Sequence, residues 1–409
     1  MHFYVLISFK WVYFTANMSR KNIYIITFIT TFCIVNTVQA QFRKYSNEFL
    51  NIGAGARGMA MGGAQIASVE DATAGYWNPA ALANVQNEPS LALMHADYFA
   101  GIGKYEYAGM AIPTNNKDHT LGISFIRFAV DDIPNTLYLV NGDGSIDYNN
   151  ISTFSSADYA LLLSYARKVK IKNANLNIGG NAKIIYRNVG SFASAWGFGF
   201  DAGAQLVKGK WRFGAVLRDV TTTFNAWSFS FSDPDKQRLY LTKNDIPLTS
   251  TELTAPHLTI GAAYEFKLAK KVTLLAESNW ALNFDGKRNN IISTNFFNVD
   301  PNIGLEANFN KVFFLRTGIG NFQQALSDAD TTNQKKVWIF QPSIGAGFNF
   351  GNLSIDYAYS NLSNQSSPLY SHIFSLKLNF VKNGNSAPVR RKKQVPENTE
   401  KKTRRGRAF

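Results

Sequence analysis

Few residues in this sequence are spaced as chemistry requires. Gly53, Gly55 and Gly58 match G-x-G-x-x-G, the pattern whose backbone amides cradle a dinucleotide pyrophosphate. Glu70 and Asp71 lie near the distance of an acid that would grip the ribose. The match follows no clear strand, however, and no βαβ unit surrounds it, so these glycines read as turn formers. His95, His119, His257 and His372 are scattered without ligand spacing, and no Gly-x-Ser-x-Gly elbow occurs. Asn141-Gly142-Asp143-Gly144 and Asp328-Ala329-Asp330 carry carboxylates but not the spacing of a calcium-binding loop. The sequence thus offers no catalytic residue, no metal site and no cofactor site.

The start of the chain reads as an export signal. Arg20 and Lys21 precede an apolar stretch, 22–35, and Val38-Gln39-Ala40 offers a small-residue cleavage site before Gln41. Met18 is a better start than Met1, because 1–17 adds a second apolar stretch ahead of the charges. Cys33, the only cysteine, falls inside the apolar core, and Phe32 before it is too large for a lipoprotein cleavage site. A mature chain would then have no disulfide and no reactive thiol. The net charge of +14 is unevenly spread: residues 381–409 hold ten Lys/Arg and two Asp/Glu, a net of +8. The export segment holds +3, and the body is left with +3. A nucleic-acid partner would need a basic face on a folded domain, so nucleic acid is excluded.

These segments frame a body built from strands. Fourteen candidates are read: 91–99, 104–112, 120–130, 155–167, 174–187, 194–206 and 211–220, then 256–266, 271–282, 300–308, 311–321, 336–348, 351–360 and 370–380. Phe374, Leu376, Leu378 and Phe380 alternate with Ser375, Lys377 and Asn379; Leu353, Ile355, Tyr357 and Tyr359 alternate with Ser354, Asp356, Ala358 and Ser360. Val272, Leu274, Ala276 and Trp280 oppose Thr273, Glu277 and Asn279, with Leu275 as the exception. Period 2 sends one set to lipid and the other to a lumen. Connections alternate between short turns and long polar loops, notably 131–154 and 221–255, which predicts periplasmic turns and outer loops. The expected fold is therefore all-β: a fourteen-stranded antiparallel transmembrane barrel, residues 91–380. It is preceded by a segment, 41–90, that would plug the lumen or else cap it from the periplasm, and followed by a basic disordered periplasmic tail, 381–409. Both termini are expected in the periplasm and the barrel in a bacterial outer membrane.

The plug segment is rich in Gly and Ala. Residues 56–69 read as partly helical, and Tyr76-Trp77-Asn78-Pro79 as a turn before one helical turn. The stretch Asn51-Ile52-Gly53-Ala54-Gly55-Ala56-Arg57-Gly58-Met59-Ala60-Met61-Gly62-Gly63-Ala64, followed by Asp71-Ala72-Thr73-Ala74-Gly75-Tyr76-Trp77-Asn78-Pro79-Ala80-Ala81-Leu82, resembles the PorV/PorQ family of Bacteroidota. That family is related to the FadL-type fatty-acid transporters. The resemblance implies a fourteen-stranded outer-membrane barrel whose plug holds these motif residues as structural groups. Several family members serve the type IX secretion system: the PorV type receives substrates through their C-terminal domains, and the PorQ type belongs to an attachment complex. The basic tail departs from a simple PorV pattern.

The expected function is that of a non-enzymatic subunit of a secretion or assembly machine. The alternatives are an accessory or scaffold subunit of another outer-membrane complex, barrel assembly included, and a FadL-like channel for hydrophobic small molecules. The expected partners are outer-membrane lipids including lipopolysaccharide, proteins of a secretion or assembly complex, and secreted substrate domains. Phe224, Trp227, Phe229 and Phe231 form a candidate outer-loop contact. Arg390, Arg391, Lys392 and Lys393, with Arg404, Arg405 and Arg407, form a candidate tail contact with anionic groups.

Overall fold

Alternating apolar residues can bury only one face of a strand, and a sheet of such strands in lipid must close to satisfy its edges. The computed structural model describes residues 46–85, 88–116, 118–141, 143–246, 249–326, 335–361 and 370–380. The leader and the basic tail, with its arginines and lysines, lie outside the described residues, as does the segment 328–330.

The strands in chain order are β1 (Ser90–Tyr98), β2 (Gly103–Pro113), β3 (His119–Asn135), β4 (Ser152–Ile171), β5 (Ala174–Val189) and β6 (Ala193–Lys208). Then come β7 (Trp211–Arg218), β8 (Thr223–Phe229), β9 (Thr249–Thr254), β10 (His257–Ala269) and β11 (Val272–Asn283). The last are β12 (Ile292–Ser293), β13 (Asn298–Phe309), β14 (Phe313–Leu326), β15 (Lys336–Phe350), β16 (Leu353–Asn361) and β17 (Tyr370–Asn379). Omitting β8, β9 and β12 leaves a closed antiparallel barrel of fourteen strands, sealed where β1 pairs with β17 from Ser90↔Asn379 to Asp97↔His372. Each of the fourteen strands read from sequence corresponds to one wall strand.

The outward face carries the apolar set. Phe374 is 54% exposed and Leu376 45%, while Ser375 between them is buried against the lumen contents. Aromatic residues edge this belt at both ends: Tyr159, Tyr186 and Trp196 form one row, and Phe309, Phe313, Phe348 and Phe350 another. Two aromatic girdles around an apolar band are the surface of a membrane barrel. Leu275, the exception in its strand, faces inward and packs with Met61, Ala67 and Ala263. It is an apolar lumen residue because the lumen is filled at that height.

One sequence expectation needs correction. The span 221–255 is not a plain polar loop: it holds the β8–β9 hairpin and a helix, Asp233–Leu241. β7 stops at Arg218, and β8 then takes over the upper half of β6, from Phe198↔Phe224 to Ala193↔Phe229. The break is a bulge at 219–222 in which Asp219 (φ 55°) and Thr222 (φ 58°) adopt left-handed conformations. Ser232 and Asp235 form a capping box that starts the helix.

Candidate functional site: plug, lumen and vestibule

The plug segment lies inside the barrel. Residues 56–69 are helical only over Ala56–Ala60, because Gly62 (φ 63°) and Gly63 (φ 83°) turn the chain away. A second helical turn spans Ala74–Trp77, and Pro79 opens a 3-10 turn over Pro79–Asn84. Asn78 caps that turn by accepting from the Ala80 amide, and its Nδ2 donates to the Ile66 and Ala204 carbonyls. One asparagine thus joins two plug turns to β6.

Most of the motif residues take part in this packing. Trp77 Nε1 donates to the Ala54 carbonyl, and Tyr76 Oη to the Leu50 carbonyl. Gly58 has no room for a side chain against Trp77 and Gln65. Gly53 (φ 125°) and Gly55 (φ 79°) make the bends before the first helical turn. Asn51 lies at the end of the entry turn Glu48–Asn51 and donates to Glu48. No nucleotide cradle results, because the amides of Gly55 and Ala56 are taken by Met94 Sδ and Ser375 Oγ.

Charge holds the plug to the wall. Arg57 makes a two-pronged contact with Glu306 of β13, at 2.7 and 3.1 Å. Glu306 also meets Arg316 of β14 at 2.6 Å, and Arg316 reaches Asp356 of β16 at 2.6 Å. Lys377 of β17 lies 3.2 Å from Asp356 and 3.2 Å from Asp71. The relay therefore starts on the plug at Arg57, crosses β13, β14, β16 and β17, and returns to the plug at Asp71. Arg316 and Asp356 are buried, so each charge depends on its neighbours in the chain of pairs. Sequence reading placed Asp356 and Lys377 on the polar face but did not find the relay. Their partners depend on strand register and on the plug path.

A second buried cluster braces the bulge. Lys183 of β5 lies 2.8 Å from Asp201 and 2.5 Å from Asp219. Asp201 accepts from the Asp219 amide, and Thr223 Oγ1 from the next strand donates to Asp219. Above the break β9 pairs, among the described residues, only with β8, and β11 ends at Asn283 opposite His257. The start of the described chain fills this interruption from inside: Ser46 and Asn47 bond Thr254, and Asn47 accepts from Asn225. Arg218 lies over the Tyr76 ring at 4.8 Å and donates to the Leu50 and Tyr76 carbonyls.

Above the plug is a vestibule of about 880 Å³. Phe49, Ile52, Met59 and Trp77 contribute to its floor, and Tyr98, Phe99, Phe128 and Ile339 to its wall. Polar and charged groups intervene in equal measure, among them Glu48, Asp158, Arg187, Arg288, Asp300 and Gln341. Trp227, a candidate loop contact, faces inward here: its Nε1 donates to Glu252, and Arg187 stacks over its ring at 5.1 Å. Phe229 and Phe231 stack beside it, and Phe224 points outward against Phe198. Phe224, Trp227 and Phe229 thus lie on β8, a wall extension, and Phe231 lies just past its end.

Long loops roof the same end. Tyr138 donates to Asp235 at 2.7 Å, and Arg238 donates to the Leu137 carbonyl while its guanidinium lies 5.8 Å from the Tyr138 ring centre. The Ser232 and Tyr138 hydroxyls hold the Asp235 carboxyl below the usual carboxylate range. Among the described residues, no group of three or more His, Cys, Asp or Glu is placed to hold a metal ion.

No protein-family model matches the sequence, and no curated protein matches it significantly. Solved structures do match. The CymD monoaromatic hydrocarbon channel superposes with a TM-score of 0.51 at 14% identity, over 81% of this chain and 99% of that one. The Pseudomonas putida toluene transporter TodX gives 0.52 at 14% identity, over 80% and 98%. A FadL homologue of Pseudomonas aeruginosa gives 0.45 at 14% identity, over 80% and 98%. The neighbours are FadL-family outer-membrane barrels, and the likeness is one of fold. The PorV/PorQ resemblance of the plug motif has no counterpart among these matches.

Proposed function

We propose that the barrel is an outer-membrane channel that takes small hydrophobic molecules into its vestibule from the long-loop end. The observation that carries this reading is the vestibule itself, a cavity above the plug in which aromatic and aliphatic side chains alternate with polar and charged ones. Its neighbours in fold include a monoaromatic hydrocarbon channel and a toluene transporter, which supports the same substrate class. The long loops face outward in this reading, and both termini lie in the periplasm. Uptake of radiolabelled toluene and oleate by a deletion strain tests it. Uptake of at least one should fall several-fold and return with the wild-type gene but not with Phe128→Asp, which places a charge on the vestibule wall. Unchanged uptake of both compounds would overturn the reading.

A second reading follows from the loop roof. Tyr240 is 79% exposed, Leu241 71%, Tyr148 72% and Phe296 83%, an unusual display of apolar surface on braced loops. Such a surface suits a protein partner: a PorV/PorQ-type secretion component, a substrate C-terminal domain, or another outer-membrane complex such as barrel-assembly machinery. Affinity purification from native membranes should recover that partner, and Tyr240→Ser with Leu241→Ser should lose it. Recovery of the barrel alone from wild-type membranes would sink this alternative.

A further inference from the structure

The two ends of the barrel carry charge differently. At the long-loop end acids and bases are mixed and some of them pair, as in Lys104–Asp131 and Lys236–Asp233. At the short-turn end lysines gather on four successive turns of the wall. Lys172 lies between β4 and β5, Lys208 and Lys210 flank the β6–β7 turn, Lys270 and Lys271 make the β10–β11 turn, and Lys311 lies between β13 and β14. All six are exposed, and no ion pair among the described residues joins any of them. Of the carboxylates at this end, Glu70 and Glu265 lie against Arg212, and Asp118 lies beside Lys168. These turns are tight, with Gly209 at φ 61° and Lys311 at φ 59°, so the lysines are held at a fixed height.

That height is the membrane interface. Trp211 directly follows Lys210 and packs on Phe213 at 5.8 Å and Tyr264 at 4.7 Å, on the outward face. Phe309 and Phe313 bracket Lys311 and pack at 5.8 Å. An aromatic girdle fixes where the hydrocarbon ends, and unpaired ammonium groups just beyond it sit at the depth of the headgroup phosphates. Like charges on neighbouring turns repel one another unless an anion lies between them.

We propose that this rim binds the anionic headgroups of glycerophospholipids, so that the barrel collects anionic lipid on one arc of its circumference. Among the described residues the arc covers β4 to β14, and the β15–β16 turn beyond it has no lysine. This lipid contact does not depend on what enters the vestibule.

The test uses the full chain in nanodiscs of phosphatidylcholine with a minor share of phosphatidylglycerol, each lipid spin-labelled in turn. Phosphatidylglycerol should be enriched roughly fivefold over phosphatidylcholine in the motionally restricted shell, the attraction of about one engaged lysine. The enrichment should fall with added salt, and should fall by most of its excess when the six lysines are changed to Gln but persist when they are changed to Arg, the basic tail 381–409 being the same in all three proteins. Equal restriction of both lipids by the wild-type protein would overturn the proposal, even if the Gln variant failed to fold. So would an acidic protein recovered from native membranes on the same lysines with no lipid preference in the nanodisc.

Discussion

Glu306→Gln is expected to loosen the plug while leaving the barrel wall intact. Glu306 is the anion between two guanidiniums, with Arg57 on the plug and Arg316 on β14. The amide keeps the shape but removes the charge, and the two arginines then face each other across a neutral group. Breaking a buried pair by removing one partner costs roughly 3–5 kcal/mol. Arg316 retains Asp356 at 2.6 Å, so most of the loss falls on Arg57 and hence on the plug. The wall ladders do not pass through this side chain. Planar-bilayer recordings should therefore show larger or more frequent openings than the parent, and protease should cut within residues 46–85. The folded barrel should still migrate as a compact species on unheated gels. A variant as closed and as protease-resistant as the parent would show that the relay does not hold the plug. Removing both members of the closing pair, with Asp71→Asn and Lys377→Met, should be much milder, because Asp356 still has Arg316 and no cation is stranded.

The contrast between relay and wall also explains what could be read from the sequence. The wall was legible because lipid selects one face uniformly. Leu353, Ile355, Phe374 and Leu376 need no particular partner to be recognised as outward. The lumen face answers to a partner that comes from elsewhere in the chain. Asp356 and Lys377 were visible as polar-face charges, but that Asp356 pairs with Arg316, and that Lys377 reaches Asp71, depends on the register of three ladders and the path of the plug. The same holds for Gly318 and Gly214, which are the places where Met61 and Ile66 approach the wall.

The β8–β9 hairpin was missed for a different reason. Its entry at 219–222 uses Asp219 and Thr222 in left-handed conformations, where glycine would have announced a bulge. These conformations persist because Lys183, Asp201 and Thr223 bond Asp219 in place. The helix within the hairpin did carry a signal: Ser232 and Asp235 are a capping pair around Pro234. Phe224 and Trp227, grouped by sequence as one aromatic cluster, alternate between the two faces of β8, as period 2 requires.

Gly318→Leu should displace the plug by a route independent of charge. A side chain at Gly318 would run into the backbone of Met61 and Gly62, and the backbone there has little freedom to retreat. Ser343 Oγ donates to the Ala60 carbonyl at 3.0 Å, and Asn279 Nδ2 donates to the Gly63 carbonyl at 3.1 Å, so this plug turn is held from both sides. Even Gly318→Ala places its methyl inside contact distance of those atoms. Overpacking of this kind costs about 1–3 kcal/mol and sometimes more, and leucine should exceed alanine. Conductance and protease cleavage within the plug measure the outcome for each variant. Gly318 lies two residues from Arg316, and the turn it supports follows Arg57. A plug already forced out by leucine no longer presents Arg57 to Glu306. Adding Glu306→Gln to Gly318→Leu should then increase plug cleavage far less than it does in the parent. Fully additive effects would mean that glycine and relay hold different parts of the segment.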